Sequence, residues 1–162
     1  MHIVVGLGNP GEEYKLTRHN TGRMAADFVA EKVKGIKVFT PDTYMNKTGP
    51  AVAKVVKSKK AAEKLIVIHD DLDLPLGTIK ISYNRGSGGH RGLESIIKAL
   101  KTREFIRIRI GIGKKDDVEK HILGKFSKSE MEKLKKVFKN VTKAVETIVN
   151  ESLEKAMTGF NQ

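Results

Sequence analysis

The apolar segments of this chain alternate between two periodicities, and that alternation limits what the chain can become. Strand-type runs stand at 2–7 (HIVVGL), 36–40 (IKVFT), 65–69 (LIVIH), 78–83 and 105–112 (FIRIRIGI). Between them lie stretches with helical spacing: 22–34, with Met24, Phe28, Val29 and Val33 on one side, then 48–57 and 93–101. Pro50 falls in the first turn of its helix, where a missing N–H costs little. Strands separated by helices are the pattern of an α/β fold. The expected architecture is a single α/β domain over 1–162: a mixed, mostly parallel twisted sheet flanked by helices, with a helical C-terminal part.

Two segments carry sharper detail. In FIRIRIGI, alternation puts Phe105, Arg107 and Arg109 on one face and Ile106, Ile108 and Ile110 on the other, so one face is core and the other carries two arginines. Near the C-terminus, Ser127-x-x-Glu130 is a capping box. Met131, Leu134, Phe138, Val141, Val145 and Ile148 then recur at helical steps, predicting a long helix packed on the domain. Lys133, Lys135, Lys136, Lys139 and Lys143 take the other positions and face solvent.

Charge narrows the function. The chain has 31 Lys+Arg against 19 Asp+Glu, a formal +12, shared between its halves with the larger excess in the second. A polyanionic partner is favoured over lysine enrichment for solubility alone. No cysteine is present, which removes disulfides, thiolate nucleophiles and cysteine zinc sites together. Without an apolar run of membrane-spanning length, a cytoplasmic location with no membrane partner is expected.

The loop after the first strand, GLGNPGEEYKLTRHN at 6–20, contains Gly6-x-Gly8-x-x-Gly11, the spacing of a dinucleotide-binding loop. Its surroundings do not suit a pyrophosphate: Glu12 and Glu13 follow directly, and no helical stripe begins before Arg18-His19-Asn20. Polar residues also gather at 69–77 (HDDLDLPLG), at 84–92 (NRGSGGHRG) and at Tyr44-Met45-Asn46. Asp70, Asp71 and Asp73 offer oxygen ligands to Mg²⁺, but Asp70 and Asp71 point apart if the strand persists. Ser87 lacks the surroundings of a nucleophile elbow. A histidine base needs a neutral imidazole and a carboxylate to fix its tautomer, which His19 and Asp70 supply. Asparagine amides such as Asn9 and Asn46 hold a water or a carbonyl without adding charge.

Together these segments resemble the bacterial-type peptidyl-tRNA hydrolases. The matching stretches are VVGLGNPGEEYKLTRHNTG (4–22), PDTYMNKTGPAV (41–52), VIHDDLDLPLGTIKI (67–81), GSGGHRGLESII (86–97) and FIRIRIGIG (105–113), in family order. The resemblance implies a monomeric, cytoplasmic esterase, independent of metal and cofactor, that cuts the ester between a peptide and the 3′ ribose of tRNA. It implies His19 as base, Asp70 as the carboxylate that orients it, and Asn9 and Asn46 as the amides that place substrate and water. Tyr14, Tyr44, Met45, Asn46, His90 and Arg91 would contact the substrate, and Lys80 and Arg109 the phosphates of the tRNA acceptor end.

Three departures from the family's pattern stand out. Arg91 occupies a position where many members carry asparagine, Ser82 one where many carry a second lysine, and the segment before Tyr44 is short, with one strand where a hairpin is common. The competing readings are a non-catalytic RNA-binding relative, like the plant organelle splicing factors that resemble this family, and a nucleotide-dependent oxidoreductase or Mg²⁺-dependent phosphotransferase. Joint retention of His19, Asp70, Asn9 and Asn46 favours the hydrolase.

Overall fold

The structure is a computed structural model that describes residues 1–161. Strands β1 (Ile3–Gly6), β2 (Lys37–Phe39), β3 (Leu65–Asp71), β4 (Ile79–Tyr83) and β5 (Ile106–Gly111) form one sheet in the order β2-β1-β3-β5-β4. Every pairing is parallel except β4 with β5. The lone antiparallel pair follows from the sequence: Pro75-Leu76-Gly77 turns the chain back too soon for a crossover helix between β3 and β4.

The helices are α1 (Thr21–Lys32), α2 (Thr48–Ala53), α3 (Lys59–Ala62), α4 (Arg91–Leu100), α5 (Val118–Ile122), α6 (Lys128–Asn150) and α7 (Leu153–Phe160). One sheet face buries Val4, Ile66, Ile68, Ile108 and Ile110 under α1, α6 and α7. The other buries Val5, Leu65, Val67 and Phe105 under α2 and α4. The apolar side predicted for the long C-terminal helix is the side that packs: Leu134, Phe138, Val141, Val145 and Ile148 are buried, and the five lysines are exposed. The capping box at Ser127 and Glu130 is formed in both directions.

Several boundaries differ from expectation. The helix expected over 48–57 ends at Ala53, and Ser58 then caps a separate short helix, accepting from the Ala61 N–H at 3.0 Å. Strand β3 runs two residues past the expected 69, because Asp70 and Asp71 stay in register with Ile110 and Gly111 of β5. The arginine-bearing face of β5 is as buried as its isoleucine face. Arg107 is 2% exposed, stacks on Phe105 at 5.5 Å and donates from Nη1 to the Gly86 carbonyl at 2.8 Å; its Nε and Nη2 have no partner. No helix among the described residues is long and apolar enough to cross a membrane.

This topology fixes where a site can form. The chain leaves β1 for β2 on one side and β3 for β4, beyond β5, on the other, so the connections at the carboxyl ends of β1 and β3 diverge and open a crevice. Gly22 tightens it: a Cβ there would collide with the Ile68 carbonyl, so only glycine lets the start of α1, and with it His19, sit against the end of β3.

Candidate active site

The crevice is a cleft of roughly 800 Å³ into which the ends of β1 and β3, the Tyr44–Asn46 segment and the glycine-rich loop before α4 all project. At its floor lies Asp70, 4% exposed, whose two carboxylate oxygens serve two different histidines. His19 Nδ1 donates to Oδ2 at 2.7 Å and His90 Nε2 donates to Oδ1 at 2.9 Å.

The tautomers follow from the remaining bonds. His90 Nδ1 caps α4 by accepting from the Gly92 and Leu93 N–H groups at 3.1 and 3.3 Å, so its proton is on Nε2, facing Asp70. His19 has its proton on Nδ1, which leaves the Nε2 lone pair as the basic position. His69 donates from Nδ1 to the Asp70 carbonyl at 2.8 Å, and its buried Nε2 has no partner.

Electrostatics sort the three groups. Burial, the largest influence on Asp70, opposes its charge, but the two imidazoles outweigh it and hold the carboxyl far below the usual carboxylate range. Burial likewise opposes protonation of His19; the charge and hydrogen bond of Asp70 more than reverse this and raise its pKa above 6.5, while Arg91 pulls against that rise. His69 is pushed down to about 3, first by burial and then by the neighbouring His90 imidazole, and so stays neutral. One imidazole is therefore a strengthened base and another is an inert member of the core.

Asn9 is held by a reciprocal pair with Asn20. Its N–H donates to Asn20 Oδ1 at 2.8 Å, and Asn20 Nδ2 donates to its carbonyl at 2.9 Å. Its side-chain oxygen accepts from the Met45 N–H at 3.1 Å, which leaves the amide NH₂ as its free donor toward the cleft. The glycines of the opening motif thus serve geometry: Gly11, at φ 99°, turns the loop, and a Cβ on Gly8 would strike the Asn20 amide that holds Asn9.

The other expected residues divide as follows. Tyr14 and Tyr44 meet edge to face at 6.2 Å along one wall, beside buried Met45 and exposed Asn46. Arg91 is exposed at the rim, and Arg109 lies deeper, its Nε on Asp71 at 2.7 Å and its Nη1 on Ser82 at 3.3 Å. Lys80 is exposed and pairs in register with Arg109, outside the cleft lining. The three aspartates diverge: Asp70 faces the histidines, Asp71 holds Arg109, and Asp73 is exposed. His19, Asp70 and His90 present ligand atoms within 4.8 Å of one another, but His19 Nδ1 and His90 Nε2 carry the protons they give to Asp70, so of the imidazole nitrogens of this trio only His19 Nε2 has a lone pair free. Sequence reasoning assigned no role to Asn20, His69 or Arg107. Adjacency to His19 was the signal for Asn20, the polar run HDDLDLPLG that for His69, and alternation in FIRIRIGI that for Arg107, but none of these gives the residue a role.

Comparison with known proteins meets this geometry. The family model of peptidyl-tRNA hydrolase matches residues 3–162. The peptidyl-tRNA hydrolase of Thermodesulfovibrio yellowstonii is 42% identical over an alignment of 186 positions that covers 100% of both chains, so that relative has residues this 162-residue chain lacks. The one from Syntrophotalea carbinolica is 41% identical, covering 99% of this chain and 97% of its own. The crystal structure of peptidyl-tRNA hydrolase from Acinetobacter baumannii superposes with a TM-score of 0.89 at 31% identity, over 98% of this chain and 93% of that one. With a match along almost its whole length in both sequence and fold, the chain belongs to the peptidyl-tRNA hydrolase family.

Proposed function

We propose that this chain acts as a single-domain, monomeric, cytoplasmic enzyme that hydrolyses the ester joining a peptide to the 3′ ribose of tRNA. The observation that carries the reading is the His19–Asp70 pair at 2.7 Å, with the Nε2 lone pair of His19 left free at a cleft rich in cations. Nε2 takes a proton from a water as that water attacks the acyl carbon. Asp70, which stays ionised, stabilises the imidazolium that forms. The amide NH₂ of Asn9, with Asn46, donates to the carbonyl oxygen as negative charge builds there. The proton then passes from His19 to the ribose 3′ oxygen as the C–O bond breaks, releasing peptide acid and tRNA.

His90 shares Asp70 with His19 and, with both ring nitrogens engaged, offers substrate only its ring edge; Arg91 contacts substrate at the rim, while Tyr14, Tyr44 and Met45 line the path of the peptide. Lys80 and Arg109 stand on the same sheet face; exposed Lys80 would meet tRNA phosphates directly, and Arg109, 7% exposed and held by Asp71, only through the N–H groups it has left, without reading bases, as suits an enzyme that serves many tRNAs. A purely RNA-binding relative would have no use for a buried carboxylate that fixes two imidazole tautomers.

Incubation with N-acetyl-aminoacyl-tRNA in EDTA, without added cofactor, tests the reading. Acid-soluble release is expected from the wild type, with a loss of about 10²-fold or more in His19→Ala. No release would refute a metal-independent hydrolase, and equal release by the variant would refute His19 as base.

A further inference from the structure

Arg91 is a cation that the architecture of the site leaves unused. It is the first residue of α4, next to His90, exposed, and it lines the cleft; no hydrogen bond or ion pair among the described residues engages it. Arg18 is committed to Glu130, Arg23 to Asp42, Arg107 to the Gly86 carbonyl and Arg109 to Asp71; Arg85 and Lys114 also line the cleft unpaired among the described residues, but Arg91 alone adjoins His90 at the start of α4. Arg91 is also the cation whose charge opposes proton uptake by His19. An anion bound against Arg91 would lift that opposition and strengthen the base while substrate is in place.

Substrate chemistry supplies such a group. The ester sits on the 3′ oxygen of the terminal ribose, and that nucleotide's own phosphate hangs from the 5′ carbon of the same ring. With the acyl carbon at His19, the phosphate lies one ribose away, and Arg91 directly follows His90, whose ring is 4.9 Å from that of His19. The peptide's carbonyls and amides are neutral and give a guanidinium no comparable partner, whereas its planar fork matches phosphate oxygens. We propose that Arg91 binds the phosphate of the substrate's 3′-terminal nucleotide, a charge-assisted contact that asparagine at this position cannot make. The inference rests on the peptidyl-tRNA reading of the same cleft and adds a specificity-determining residue to it.

Two non-hydrolysable probes test it: N-acetyl-aminoacyl groups amide-linked to 3′-amino-3′-deoxyadenosine, one with a 5′-phosphate and one without. Calorimetric Kd values for the pair give a ratio within each protein, so a general loss of affinity cancels. The wild type is expected to favour the phosphorylated probe by roughly tenfold. In Arg91→Asn the preference falls to about twofold or less, and Arg91→Lys keeps part of it because the charge survives without the fork. A wild-type ratio near one, or an Arg91→Asn ratio equal to wild type, overturns the proposal. So does an Arg91→Asn effect that follows the acyl group instead of the phosphate. Binding is separable from turnover: failure to release peptide from N-acetyl-aminoacyl-tRNA with the ratio intact removes the hydrolase reading and leaves Arg91 a phosphate ligand.

Discussion

Asp70 does more than orient one histidine. With both oxygens committed to imidazole N–H groups, it sets the position of the base and, through His90, the start of α4. The rate should fall as pH drops through the pKa of His19, because only the neutral imidazole accepts a proton. That pKa is raised above 6.5, so the acid limb of kcat/KM is expected above pH 6.5. Asp70→Asn removes the charge that raises it; the limb is expected to move down while kcat drops by at least about 10²-fold. A pH–rate profile of both proteins checks this, and an unmoved limb would show that Asp70 does not tune His19. At this scale the sequence was legible in part. His19, Asp70 and Asn9 followed from residue type together with the family resemblance. The Asn9–Asn20 pair closes one irregular loop on itself across eleven residues, and the sharing of Asp70 joins the end of β3 to the loop before α4; local spacing encodes neither.

Elements with a strong period were readable, and short ones were not. The five strands and the long helix α6 fall where alternation and the capping box put them. Helices α3 and α5 have four and five residues, too few for a periodic stripe, and each is set by one capping side chain, Ser58 and Asp117. The break between α6 and α7 was also hidden, since Ser152 restarts the helix only a residue after Glu151 ends the first. That break has a structural consequence. It brings the chain end to edge strand β4, where the Asn161 side chain accepts from the Ile81 N–H at 2.6 Å and donates to its carbonyl at 2.8 Å, standing in for a sixth strand. Asn161→Ala uncovers this pair and is expected to lower unfolding free energy by about 1–2 kcal/mol. It should also favour concentration-dependent association through the freed edge. Urea unfolding and light scattering read the two effects, and unchanged stability would show that the amide contributes nothing to the edge.

The whole molecule concentrates its charge chemistry where the sheet order diverges, and that placement was implicit in the alternation of strands and helices. What the sequence concealed is how dry the sheet face beneath the cleft is. HDDLDLPLG reads as a polar segment, yet His69 is 3% exposed within it, because β3 persists through Asp71 and the loop before α4 covers it. A neutral histidine locked inside a basic protein makes stability depend on pH with a definite sign. His69 takes up a proton near 6.5 when unfolded but only near 3 when folded. Between those values the unfolded chain binds a proton that the native state refuses, so acidification favours unfolding, by about 5 kcal/mol at most over the full interval. His19 works the other way, since its raised pKa favours the native state as it protonates, and Asp70 matters only below the ordinary carboxylate range. Comparison of wild type with His69→Asn isolates the term, because asparagine keeps a donor for the Asp70 carbonyl and removes the titration. Between pH 6.5 and 4 the wild type is expected to lose about 3 kcal/mol more than the variant in urea unfolding. The charge surplus is common to both proteins at the upper end of that range, so it drops out of the difference. Parallel curves would mean that His69 is protonated in the native state, and its unpartnered Nε2 would then need an acceptor.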